Sequence, residues 1–175
     1  SSAASDVYKR QIDSWILGRL SRKPWMYWKT RTGRPFGNMQ FAFNGHMVVL
    51  VDAYTISDGE AFSEGFRRLG LGPLIGTRTW GGGIWLRAAT RLVDGGMARS
   101  PETGVYAPDR TWSIEGSGVE PDMVVDNLPH ETFRGRDAQL EAALVYLRKK
   151  IAEDPPRMPA PPDRPDKSFR YPVRP

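Results

Sequence analysis

Ser57, Asp58, Gly59 and Glu60 stand where an apolar run, Met47 to Val51, gives way through a short polar corner to an amphipathic stretch. A serine at the tip of a buried strand, just before a helix, has two physical uses. It can cap the helix, because Ser and Asp accept hydrogen bonds from the first unpaired N–H groups and Gly allows a tight corner. It can also be a nucleophile. The corner exposes its side chain, and the N–H groups that follow, beginning with that of Asp58, lie at the positive end of the helix dipole and can hold an oxyanion. The G-x-S-x-G elbow of many hydrolases is not matched, since the residues are Thr55-Ile56-Ser57-Asp58-Gly59. Local spacing leaves both uses open.

A serine nucleophile needs a base. His46 belongs to the same extended run as Ser57, eleven residues earlier, which places it more than about 30 Å away at about 3.3 Å per residue. His130 follows a proline in a polar segment and reads as a surface histidine. No lysine stands out as an alternative. The absence of cysteine excludes thiolate catalysis, disulfides and zinc–thiolate sites. Two histidines far apart make no metal cluster, and nothing in the chain calls for a cofactor. Gly81-Gly82-Gly83 lacks the lysine and hydroxyl residue of a phosphate loop, and reads instead as a flexible loop or a close backbone approach.

The elements that must position these residues can be read from periodicity. Ile12, Trp15, Ile16 and Leu20 share one face of a helix. Residues 21–45 are loop with room for a short strand. Met47 to Val51 is continuous enough for a strand covered on both faces. A helix over Gly59 to Leu69 presents Phe62, Phe66 and Leu69 inward and Arg67 and Arg68 outward, and Gly70 and Gly72 end it. LGPLIG is a second buried strand, so the two strands and the helix make a βαβ unit. Asp94-Gly95 marks a hairpin, and SIEGSGVEPDMVV ends in another strand. Asp137 caps a helix over Gln139 to Ile151, with Leu140, Leu144, Leu147 and Ile151 as its inner stripe. From Asp154 onward a Pro- and Arg-rich segment reads as an extended arm, residues 154–175.

With 175 residues and 39% apolar content, the chain can form one domain with its own core. No apolar run reaches the roughly 20 residues of a membrane helix. The net charge of +5 and pI near 9.7 raise the question of nucleic acid. Trp25, Tyr27 and Trp28 lie among basic residues, but no recognised nucleic-acid module accompanies them, so nucleic acid is not expected as a partner. Residues 1–11, SSAASDVYKRQ, are small, polar and aperiodic, and read as a non-native leader outside the fold.

The stretches VDAYTISDGEAFSEGFRRLGLGPLIGTRTWGGG, LVDGGMARSP, TWSIEGSGVEPDMVV and GRDAQLEAAL, in that order, resemble one family. They are similar to the tricorn-type catalytic core of the C-terminal processing peptidase family of serine peptidases. The resemblance implies an α/β fold of the crotonase or Clp-protease type, a superhelix of ββα units, here truncated at its N-terminus so that residues 12–153 form the C-terminal part of a catalytic domain. It implies peptide-bond hydrolysis with Ser57 as nucleophile and the Asp58 N–H as one oxyanion donor. It also implies a role for Glu115, otherwise an ordinary loop carboxylate, in orienting a catalytic histidine through a second serine. Where processing peptidases with a Ser–Lys dyad carry lysine, this chain has Thr79-Trp80-Gly81-Gly82-Gly83, so the resemblance favours the Ser, His, Ser, Glu arrangement with its histidine upstream. By itself the chain is then expected to be close to inactive. Peptide or unfolded protein is the implied substrate, and a homo-oligomer the implied assembly, with the compartment left open. The rival expectation is a non-catalytic scaffold that binds peptides or partner subunits.

Overall fold

The computed structural model describes residues 12–166, Ser168 and Phe169, with backbone alone for residues 87–90. The expected leader over residues 1–11 and the last residues of the arm lie outside the described residues. The chain is a mixed α/β structure in which the expected βαβ unit carries the site. Strand β3 (Val49–Val51) runs through a polar corner into helix α2 (Asp58–Arg68) and returns as β4 (Leu74–Gly76). The two strands are parallel, Val49 opposite Leu74 and Val51 opposite Gly76, and β7 (Met123–Val124) adds in parallel on the far side of β4.

The middle strand is the buried one, as its apolar residues require, with Leu74 and Ile75 wholly inaccessible. β3 is covered less than expected. Val51 is buried, but Leu50 remains 39% exposed. Gly76 ends β4 at a φ of +142°, and a Cβ there would fall 1.8 Å from the Val51 carbonyl oxygen. Only glycine allows the two backbones to meet so closely.

The core joins Leu17, Val51, Phe66, Leu74, Ile114 and Val119. Leu17 comes from α1 (Ile12–Leu20), which packs on α2. The inner face of α1 is only in part the one that periodicity selects, since Leu20 packs against the core and Ile16 is half-buried. Leu17 is buried, while Ile12 is 61% and Trp15 59% exposed. Trp15 instead lies under the Arg19 guanidinium, 4.2 Å from its ring centre, and Phe41 takes the same cation at 4.9 Å. α2 begins one residue earlier than expected and ends at Arg68. Phe66 is buried as expected, but Leu69 is exposed, and Glu60, Ser63 and Glu64 fill the inner face in its place.

Helix α4 (Ala138–Glu153) begins at the expected cap, with Asp137 accepting from the Leu140 N–H at 2.9 Å. It follows the single-turn helix α3 (Pro129–Phe133) and packs against β3 and β4. Its buried residues are Gln139 and Ala143, whereas Leu140, Leu144 and Ile151 stay exposed. The small Ala143 lets the helix approach the sheet, and Gln139 donates to the Val125 carbonyl at 3.0 Å. A leucine in their place would hold the helix away. Of the expected inner stripe only Leu147 is half-buried, and the other three leave the inner face to Gln139 and Ala143.

Two antiparallel ribbons complete the chain. The first, β1 (Met26–Trp28) with β2 (Phe36–Asn38), lies in the segment expected to be mostly loop. The second, β5 (Trp85–Arg91) with β6 (Met97–Thr103), turns at Asp94-Gly95 as expected. Gly95 has φ +83°, and the Gly96 N–H donates to Asp94 Oδ1 at 2.9 Å. The described part of the arm after Asp154 has no regular structure. It is tied back where the His46 ring meets the Asp154 carbonyl at 2.6 Å and Arg164 donates to the Arg31 carbonyl at 3.1 Å. Among the described residues no helix is long and apolar enough to cross a membrane.

Candidate active site

Ser57 stands exposed at the corner between β3 and α2, and its backbone is strained. Its φ of 53° and ψ of −117° belong to the first central position of a type II′ turn, a conformation that glycine normally supplies. A serine held there costs about 1–3 kcal/mol and persists only where its surroundings fix it. Both of its peptide groups are fixed. The Ser57 N–H donates to Glu60 Oε2 at 3.0 Å, and its carbonyl accepts from the Glu60 and Ala61 amides at 2.9 and 3.1 Å. Ser57 and Glu60 are thereby the two members of a capping box. The Glu60 amide already has the Ser57 carbonyl as acceptor, so the hydroxyl is not its sole partner. The N–H of Asp58, at the first helical position, has no intrahelical acceptor and no other among the described residues.

Glu60 is the centre of the arrangement. Its side chain is 0% exposed, and four neutral donors converge on it. Besides the Ser57 amide, Oε1 accepts from Thr79 Oγ1 at 2.6 Å and from the Gly81 N–H at 2.7 Å, and Oε2 accepts from the Gly82 N–H at 2.9 Å. The Gly83 N–H in turn donates to Glu115 Oε2 at 2.8 Å. All three amides of the glycine run are therefore taken by carboxylates, which closes this loop to a phosphate. A Cβ on Gly83 would lie 2.7 Å from the Ile114 Cβ and 2.8 Å from the Glu115 nitrogen, so the run is the close backbone approach that its composition allows.

The loop is locked from its other side as well. Thr79 Oγ1 accepts from the Val119 N–H at 2.7 Å, and the Thr79 N–H donates to the Val119 carbonyl at 3.1 Å. Asp122 and Leu74 exchange two hydrogen bonds, one side chain to backbone at 2.8 Å and one backbone to backbone at 2.9 Å. The segments SDGE, GTRTWGGG and GVEPD thus meet at one place. Ile114, just before Glu115, has φ +74°, a second strained residue beside the glycine loop and an uncommon one for a β-branched side chain.

The site residues read from sequence fall into this frame unevenly. Ser57 and Asp58 occupy the corner itself. Glu115 is an exposed residue bonded to Gly83, and among the described residues its hydrogen bonds reach Ser57 through the glycine loop and Glu60. His46 is engaged with Asp154, and His130 pairs with Glu131 at 3.1 Å on the surface. No hydrogen bond joins a histidine or lysine to Ser57 among the described residues. Glu60 and Thr79 escape a sequence reading. The only signal for Glu60 is the Ser-x-x-Glu spacing of a capping box, which points to a half-exposed cap rather than a buried hub.

Asp58 has a second task. Its Oδ2 accepts from the Ile12 and Asp13 N–H groups at 2.9 and 3.3 Å, so it caps α1 from the start of α2. Burial, and next the charge of Asp13, raise its pKa above the usual carboxylate value, while the two amides pull it down. Asp13 Oδ1 and Asp58 Oδ1 are both buried without a hydrogen-bond partner. A folded-state pKa above the unfolded one means that the native chain holds a proton longer as pH rises. The stability from this group is present at low pH and lost as pH climbs through the folded value. Asp58→Asn keeps the backbone N–H and an acceptor for Ile12, and removes the repulsion. Its Tm is expected to exceed that of the native sequence by a few degrees at neutral pH, with the gap closing near about pH 3, below the carboxylate range. Equal melting of the two at neutral pH would contradict the repulsion.

The sequence pattern that defines peptidase family S41 matches residues 8–125, and the chain belongs to that family. It is 33% identical over 140 residues to the tricorn protease of Thermoplasma acidophilum, which covers 80% of this chain and 13% of that one. It is 35% identical over 140 residues to a tricorn protease homolog of Saccharolobus solfataricus, again 80% of this chain and 13% of the relative. The crystal structure of a tricorn protease superposes with a TM-score of 0.76 at 33% identity, covering 81% of this chain and 14% of that one. The chain thus spans about an eighth of the length of these relatives.

Proposed function

We propose that the complete protein is a serine peptidase that hydrolyses peptide bonds through an acyl-enzyme on Ser57. The observation that carries this reading is the exposed Ser57 at a strained strand-to-helix corner with an unpaired amide directly after it. An accessible hydroxyl there can attack a carbonyl carbon. The Asp58 N–H, at the positive end of α2, then faces the oxygen on which charge develops, a contact worth about 3 kcal/mol per donor in comparable sites. A histidine from the preceding part of the protein takes the Ser57 proton and returns it to the leaving amine, and water releases the acyl group. Glu115 orients that histidine through a second serine.

Membership of a peptidase family and similarity to tricorn proteases support peptides as substrates. On the same grounds we read the fold as the C-terminal part of a crotonase- or Clp-protease-like ββα superhelix, and the assembly as a homo-oligomer. The test is reaction of the full-length protein with a serine-directed fluorophosphonate, followed by peptide mapping. Stoichiometric modification of Ser57 is expected. Absence of modification in a folded full-length protein would return the corner to a capping role on a peptide-binding scaffold.

A further inference from the structure

We infer that Glu60 is a positioning residue for Ser57, one that sets the distance and angle between the nucleophile corner and the glycine loop to which Glu115 is bonded. The inference rests on the peptidase reading of Ser57 and adds to it a residue that makes no contact with substrate. A carboxylate withdrawn from water is costly unless its lone pairs are filled. A helix corner needs no such burial, since a capping-box glutamate works equally well on the surface. Glu60 is fully buried because it serves two structures at once. One oxygen holds the Ser57 and Gly82 amides, and the other holds the Thr79 hydroxyl and the Gly81 amide.

The consequence for Ser57 is geometric. Its φ of +53° is retained because Glu60 binds its N–H from one side, while the first turn of α2 binds its carbonyl from the other. Release of the Glu60 bond frees the Ser57 peptide plane to relax toward a common conformation, which moves the hydroxyl. The same release frees Gly81 and Gly82, and with them the adjoining Gly83 that holds Glu115. Nucleophile and glycine loop therefore shift relative to each other when this one carboxylate is lost.

Glu60→Gln is the informative variant because it keeps the volume. Each carboxylate oxygen accepts at least one backbone N–H, so the amide nitrogen must face a donor on whichever side it turns. Thr79→Val keeps the shape but removes both the donor to Glu60 and the acceptor for the Val119 N–H, and Thr79→Ser restores both. In the full-length protein the rate of fluorophosphonate labelling of Ser57 is expected to fall about 10²-fold in Glu60→Gln, the scale of an ångström of misplacement. Thr79→Val is expected to lose about tenfold or more, the equivalent of one hydrogen bond to a charged group, and Thr79→Ser to label like the native protein. With a peptide substrate the loss is expected in kcat, with KM within about twofold, since no substrate contact is removed.

A purely structural Glu60 would lower the melting temperature and leave the labelling rate per folded molecule unchanged, which would overturn the inference. If Glu60→Gln does not fold, Thr79→Val decides, and a native rate in that variant refutes the positioning role. Failure of the native full-length protein to label is a different result, and removes the peptidase reading on which the inference stands.

Discussion

Ser57→Ala in the complete protein is expected to abolish peptide hydrolysis, with a loss of about 10⁶ in kcat, the scale on which subtilisin responds to removal of its serine or histidine. The fold should survive. Ser57 is exposed, and the bonds that hold the corner run through its backbone N–H and carbonyl rather than its side chain. Alanine keeps the strain as well as the bonds. Ser57→Gly provides the complementary measurement, since glycine adopts φ +53° without penalty. It should be equally inactive, yet more stable than the native protein by about 1 kcal/mol, part of the strain that a residue with a Cβ carries there. Hydrolysis rates and denaturant midpoints on the two variants separate chemistry from strain. Normal turnover in Ser57→Ala would remove Ser57 from the mechanism, and equal stability of Ser57→Gly and native protein would remove the strain argument.

The second large effect belongs to Glu115. Its carboxylate accepts from the Gly83 N–H, and in the proposed mechanism it orients the histidine through a serine. Glu115→Ala is expected to lower kcat on the order of 10³-fold and to change KM little, since an orienting carboxylate acts on the transition state more than on substrate binding. Stability should change by much less, because Glu115 is exposed and its carboxylate holds one hydrogen bond, from Gly83, among the described residues. Steady-state kinetics with one peptide decides. An unchanged kcat would make Glu115 a loop residue that only steadies Gly83.

The contrast between Glu115 and Glu60 shows what was legible in the sequence. The βαβ unit, the Asp94-Gly95 turn and the Asp137 cap follow from rules that act over a few neighbouring residues, and the structure has all three. The inner faces of the helices were harder to read. Hydrophobic spacing selects Leu20, Phe62 and Phe66, which do pack in or on the core, but also Ile12, Trp15, Leu69, Leu140, Leu144 and Ile151, which are exposed. The sheet and α2 instead receive Leu17, Gln139 and Ala143, where small size or a hydrogen bond allows closer approach than bulk. Periodicity reports that a stripe is apolar, and tertiary contacts decide which stripe is covered. The corner of the site was visible because Ser57 and Asp58 are chain neighbours. Its hub was hidden, because Glu60 meets Thr79, Gly81 and Gly82 across about twenty residues of sequence, and no local pattern encodes that meeting.

The way Glu60 is satisfied has a consequence for the response to solution conditions. Surface pairs such as Arg136 with Glu141, at 3.2 Å, stand in water where added salt weakens them. The Glu60 charge is enclosed, and the partners that fill its lone pairs are three amides and a hydroxyl. Mobile ions cannot enter to screen it, and a dipole offers them no net charge to attract. The alignment of Ser57 with the glycine loop is therefore insulated from ionic strength, while the charged exterior of this basic chain is not.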